Sequence, residues 1–148
     1  MKKYRHILTA TDFSAVSKVA AQQAIDLAEH YEAELTFLHV VEHFPEHLPH
    51  YKIAHEDKDP QEFLIDKADN DLAEMCRGLG HAEARREVIL TTHSAKVEIV
   101  NYIEAHNIEL LVIGARGRHS LIDRFSGSTA TGVVRAAVCD VFVVHAGE

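Results

Sequence analysis

The stretch from Leu110 to Thr131 limits most tightly what this chain can fold into. Leu110-Leu111-Val112-Ile113 is an unbroken apolar run. Such a run marks a strand buried on both faces of a parallel sheet, not one with a wet side. It stops at Gly114. Gly117 follows after two residues, and Gly127-Ser128 after nine more. Small residues from Ala130 to Ala137 then permit a helix. A strand, a glycine-rich loop and a helix start make an anion cradle. Glycines let the backbone approach a ligand, and the helix start offers free amides and a partial positive charge. The hydroxyls of Ser126, Ser128 and Thr129 add donors, and Arg116, Arg118 and Arg124 add positive charge.

The rest of the chain alternates strands and helices. Tyr4 to Thr11 reads as strand one. Ser14 or Asp12 caps a helix whose apolar residues, Val16, Ala20, Ala24, Leu27, Ala28 and Tyr31, recur at helical spacing. Leu35 to Val41 is strand two, and Glu42 to Lys58 a polar surface loop. Asp59-Pro60-Gln61-Glu62 is a helix start, with a capping carboxylate and proline at the first helical position. Ile65, Ala68, Leu72, Met75, Cys76 and Leu79 form its stripe, and Gly78 and Gly80 end it. Ala84 to Leu90 is strand three, charged enough to suit a sheet edge. Ser94 caps a third helix with Val97, Val100 and Ile103 inward. Strand four, a fourth helix and strand five (Val141 to His145) complete the pattern. Alternation of this kind means crossover units and a mostly parallel sheet. Five strands and four helices predict an open, doubly wound, Rossmann-like α/β fold, in one domain spanning 1–148.

Gly-x2-Gly-x9-Gly-Ser resembles the nucleotide-binding signature of the universal stress protein family, in its ATP-binding branch. The opening Ile7-Leu8-Thr9-Ala10-Thr11-Asp12-Phe13-Ser14, the Leu38-His39-Val40 segment and the closing Cys139-Asp140-Val141-Phe142-Val143-Val144 resemble that family too. The resemblance covers nearly the whole chain. It supports, with the apolar character of strands one and four, a strand order of 3-2-1-4-5. Ligands in such sheets sit beyond the carboxyl ends of the strands where the order reverses. Here that point lies between strands one and four. The resemblance implies that Gly114, Gly117, Gly127, Ser128 and Thr129 hold phosphates and ribose. It implies that Ala10, Thr11 and Asp12 line the adenine and ribose end, and that the backbone of Val40, or of Val41 in a shifted register, reads the base. Arg116, between the first two glycines, is expected to meet the anion. The implied ligand is ATP, with Mg2+ or Mn2+ carried on its phosphates. The family also implies a homodimer through strand five, by way of Val141, Phe142, Val143 and Val144. A bare apolar sheet edge invites such pairing in any case.

Composition excludes some classes. The chain of 148 residues carries a net charge of −8, which repels nucleic acid except at a local basic patch. No stretch approaches the ~20 apolar residues of a membrane helix. Lys2-Lys3-Tyr4-Arg5-His6 is basic, but the apolar run behind it meets Asp12, so no signal peptide is expected. Cys76 and Cys139 lack metal or redox spacing and read as buried reduced thiols of a cytoplasmic protein.

Other groups admit blander readings. Among twelve histidines, His43, His47 and His50 lie near Glu42 and Glu46. They could ligate a transition metal, but a proline-interrupted loop gives no fixed geometry, and a solvated loop is the expectation. His39 is read as structural, and His93 stays open. Leu121, Ile122 and Phe125 would pin the glycine loop to the body or to a partner chain. Dedicated catalysis has no visible residues: there is no P-loop lysine and no nucleophile elbow. The sequence therefore predicts an ATP-binding stress-response module acting on an unidentified regulatory partner. A slow ATPase or adenylate-using enzyme, and a nucleotide-free interaction module, are the alternatives.

Overall fold

The computed structural model describes residues 2–43, 59–115 and 127–146. Its elements are β1 (His6–Ala10), α1 (Ala15–Tyr31), β2 (Glu34–Glu42), α2 (Pro60–Gly78), β3 (Arg85–Thr91), α3 (Ala95–Ala105), β4 (Leu110–Gly114), α4 (Gly127–Ala136) and β5 (Asp140–Val144). The five strands form one sheet in the order β3-β2-β1-β4-β5, every pairing parallel. The expected architecture and strand order are both present.

The central strands β1 and β4 bury both faces, which explains their lack of alternation. Leu8, Ala10, Leu111 and Ile113 point to one face, under Ile99 and Ile103 of α3 and Val133 of α4. Ile7, Leu110 and Val112 point to the other, under Ala20, Ala24 and Ala28 of α1. The alanines let α1 lie close to the sheet. Phe37 of β2 fills the space between α1 and α2, against Ile25, Leu72 and Met75.

Caps follow the sequence. The Ser14 hydroxyl accepts from the amide of Ser17, and Asp59 from that of Gln61 ahead of Pro60. Gly80 turns the chain after α2 with φ +79°, a conformation that glycine enters without steric cost.

Five expectations are corrected. On α3 the buried face is Ala95, Ile99, Tyr102 and Ile103, whereas Val97 is exposed. The apolar sequence there supports two overlapping stripes, and packing against α4 selects one. Ile65 on α2 is exposed, because the helix meets the sheet only from Ala68 onward. Glu42 closes β2 and is not loop. His43, expected in a solvated loop, is buried just after β2, with its amide donating to the Thr91 carbonyl at 2.8 Å. Cys76 is buried, but Cys139, beside the edge strand, is only half-buried.

Candidate functional site

The sheet order reverses between β1 and β4, whose pairing ends at Ala10 opposite Ile113. Beyond Ala10 the chain makes a tight turn into α1. The amide of Thr11 donates to the carbonyl of Leu38 at 2.9 Å. The Thr11 hydroxyl meets the Ser17 hydroxyl at 2.9 Å and accepts from the Phe13 amide at 3.1 Å. The Asp12 carboxylate accepts from the Ser14 amide at 3.0 Å and from the Ser14 hydroxyl. It thus lies at the start of α1, where free amides and the helix dipole stabilise a negative charge.

Phe13 adopts φ +66°, a left-handed conformation costing a bulky residue roughly 1–2 kcal/mol. Its ring packs on His39, with centroids 4.4 Å apart. His39 Nδ1 lies 2.7 Å from the Thr11 carbonyl. A carbonyl only accepts, so Nδ1 carries the proton. His39 is structural, as the sequence suggested, and what it holds in place is the turn at the end of β1.

Val40 has its side chain buried, so only its backbone can meet a ligand. The direction of that backbone follows from the neighbouring bonds. Leu38 turns its carbonyl to Thr11, on the β1 side, and His43 turns its amide to Thr91, on the β3 side. Backbone groups of alternate strand residues point the same way. Val40 therefore directs its amide and carbonyl to the β1 side, at a level where β1 has already ended. No backbone bond joins it to the Thr11–Phe13 turn. A donor and an acceptor side by side can read the edge of a planar base.

Gly114 stands opposite, at the end of β4. A methyl placed on it would lie 3.1 Å from the carbonyl carbon and oxygen of Val16 and 3.2 Å from the Ser17 nitrogen. Its missing side chain makes room for α1, while Ala115 donates to Val144 of the edge strand at 2.8 Å. Gly127 and Ser128 open α4 and Thr129 is half-buried in its first turn. The first amides of that helix have no intrahelical acceptor. Arg116, Gly117, Arg118, Leu121, Ile122, Arg124, Phe125 and Ser126 lie outside the described residues, as do His47 and His50.

Ala10, Thr11, Asp12, Val40 and Gly114 thus gather at one corner. Two contributors were missed: Ser17, buried against Thr11, and Glu42, whose carboxylate accepts from the Ala95 amide at 2.7 Å. Ser17 had a signal, standing three residues after a capping serine. Glu42 had none, because its partner is 53 residues away. His93 is exposed, and His43 is buried. Among the described residues, no three His, Cys, Asp or Glu side chains are grouped to hold a metal ion, and no helix is long and apolar enough to cross a membrane. On β5, Phe142 is exposed, Val141 and Val143 are half-buried and Val144 is buried in the core.

An open doubly wound sheet with turn hydroxyls, a free strand edge and a glycine-led helix at its reversal defines a Rossmann-like α/β domain with one candidate crevice. The chain belongs to the universal stress protein family, whose model matches residues 3–145. It is 29% identical over 145 residues to universal stress protein A homolog 1 of Coxiella burnetii, covering 98% of this chain and 99% of that one. The solved universal stress protein UspA of Lactobacillus plantarum superposes with a TM-score of 0.70 at 26% identity, covering 97% and 99% of the two chains. The universal stress protein of Archaeoglobus fulgidus in complex with dAMP shares the fold, with a TM-score of 0.65 at 18% identity over 97% and 99% of the chains.

Proposed function

We propose that this protein is an ATP-binding regulatory module of the universal stress protein family. It binds the nucleotide between β1 and β4 and transmits occupancy to a partner protein in the cytoplasm. The observation that carries this reading is the backbone of Val40, whose donor and acceptor face an open level of the sheet beside the Thr11–Asp12 turn. Adenine would pair there and ribose would meet Asp12. The phosphates would reach the Gly127 start of α4, where amides and dipole favour an anion. The dAMP held by the Archaeoglobus fulgidus protein, which shares the fold, supports an adenine nucleotide as the class of ligand. Mg2+ or Mn2+ would ride on the phosphates and neutralise part of their charge.

Calorimetric titration with ATP, AMP and GTP tests this reading. ATP is expected to bind at millimolar concentration or better, and Gly127→Val to abolish binding with little change in Tm. A protein that takes up no adenine nucleotide at several millimolar ends the proposal.

The module is expected to work as a homodimer. Strand β5 is a sheet edge, and Phe142 (43% exposed) and Val138 (72% exposed) present apolar surface there. Phe142→Glu should convert the dimer to a monomer in light scattering. A wild-type protein that is already monomeric at high concentration would remove the dimer.

A further inference from the structure

Lys96 is the second residue of α3, and Gly132 the sixth of α4. A methyl placed on Gly132 would lie 2.2 Å from Lys96 Cδ, 3.2 Å from Cγ and 3.4 Å from Cε. The lysine stem therefore runs across α4 through the space that Gly132 leaves. Two local preferences are broken to make this contact. Glycine is a poor residue for a helix interior. A lysine in the first turn places its charge at the positive end of the helix dipole.

The direction of the stem follows from helix geometry. Side chains on a helix lean towards its own N-terminus. Helix α3 follows β3 and α4 follows β4, so both begin at the carboxyl end of the parallel sheet. Lys96 thus leans towards the end of the sheet that holds the crevice. Two acidic groups by the start of α3 are engaged: Glu98 accepts from the Thr91 hydroxyl at 2.9 Å and Glu42 from the Ala95 amide at 2.7 Å. Among the described residues Lys96 forms no ion pair. Lys96 is exposed and stands in the first turn of α3, where its charge opposes the helix dipole; a bound anion relieves that conflict, and such broken rules mark functional positions.

We propose that Lys96 is a specificity residue of the candidate site: its ammonium meets the terminal phosphates of a nucleoside triphosphate and makes the protein prefer ATP to AMP. This rests on the reading that the crevice binds an adenine nucleotide. Gly132 is then the clearance that lets the lysine reach across.

The test compares wild type, Lys96→Met and Gly132→Ala, each titrated with ATP and with AMP. Lys96→Met keeps the apolar stem and removes the charge. It is expected to weaken ATP binding about tenfold, the scale of one charge-assisted phosphate contact, and to leave AMP unchanged. The ATP preference of the wild type should shrink as salt is added. Gly132→Ala displaces the stem, so it should lose part of the ATP preference while its Tm holds or rises, alanine being the better helix former. A merely structural lysine would not separate the two nucleotides. Wild type binding neither nucleotide would remove the site itself. Wild type binding both, with Lys96→Met unchanged or weakened equally for ATP and AMP, would overturn the role of Lys96 alone.

Discussion

The two ends of the sheet handle the same problem by different means. Strand ends leave backbone donors and acceptors without ladder partners. At the amino end, charged side chains on the surface supply them. Glu109 Oε1 accepts from the amides of Arg5 at 2.8 Å and His6 at 3.2 Å. Asp140 accepts from the Tyr4 hydroxyl at 2.7 Å and from the Lys2 ammonium at 3.1 Å. At the carboxyl end the buried Thr11 and Ser17 hydroxyls bond one another beside the buried Asp12 carboxylate, and Gly114 brings α1 against β4. Exposed ion pairs contribute little, whereas buried contacts between backbones have no room to give. Damage to Gly114 or the Thr11 hydroxyl at the carboxyl end should therefore be large and indifferent to pH, and damage at the amino end small and strongly pH-dependent.

The sharpest way to break that comparison is Gly114→Val. The added carbons meet backbone atoms of Val16 and Ser17, not a flexible side chain. Overpacking of this kind costs up to about 3 kcal/mol, seen as a lower midpoint in urea. A variant that unfolds like wild type would mean that α1 yields freely and that the carboxyl end is not the rigid one. Thr11→Val comes next. It keeps the shape but strips the hydroxyl from Ser17 and from the Phe13 amide. The expected loss is about 1–2 kcal/mol, the cost of buried polar groups left unpaired. Thr11→Ser, which keeps the oxygen, should recover most of it.

Particular residues show why the fold was readable and the site only partly so. Leu110-Leu111-Val112-Ile113 announces a doubly buried strand because burial on both faces removes alternation, a purely local signature. Ser14 and Asp59 announce helices because their partners lie two or three residues away. The corner of the crevice was legible in its membership, through Thr11, Asp12, Val40 and Gly114. The reasons for membership were not. Gly114 read as a glycine for ligand approach, and its packing against Val16 and Ser17 depends on where α1 lies. The grip of His39 on Thr11 spans 28 residues, and no local pattern predicts such a pair. Val97 and Ile65 failed for the same reason, since periodicity gives a stripe but not which neighbour covers it.

Glu109 probes the amino end from the acid side. The amide of Arg5, then the Arg5 charge and the amide of His6, hold its carboxyl below the ordinary glutamate value. A carboxyl depressed in the folded state contributes stability above its unfolded value, about pH 4.3. That stability is lost as pH falls through the lower folded value. Glu109→Gln should lower Tm slightly at neutral pH, and the gap from wild type should close as the pH drops below about 4. A gap constant from pH 7 to pH 3 would mean that packing, not charge, makes the contribution.

The smallest effect is expected at Tyr4, and it has the opposite sign. The hydrogen bond to Asp140, with burial and the nearby carboxylate adding to it, pushes the phenol up to about 12. A group raised in the folded state contributes stability that is complete below its unfolded value, about 10, and that is lost as pH rises through the folded one. Stability should therefore decline between about pH 10 and 12. Tyrosinate absorbance followed against pH reads this directly. Of the four tyrosines, Tyr102 is raised too, chiefly by burial, so wild type should show two late titrations. Tyr4→Phe should remove one of them. Asp140→Asn should instead move it down towards 10, because an amide no longer disfavours the phenolate by charge. If Asp140→Asn leaves the Tyr4 titration where it was, the surface network at the amino end is not the electrostatic one its geometry describes, and the contrast with the buried, hydroxyl-lined carboxyl end loses its basis.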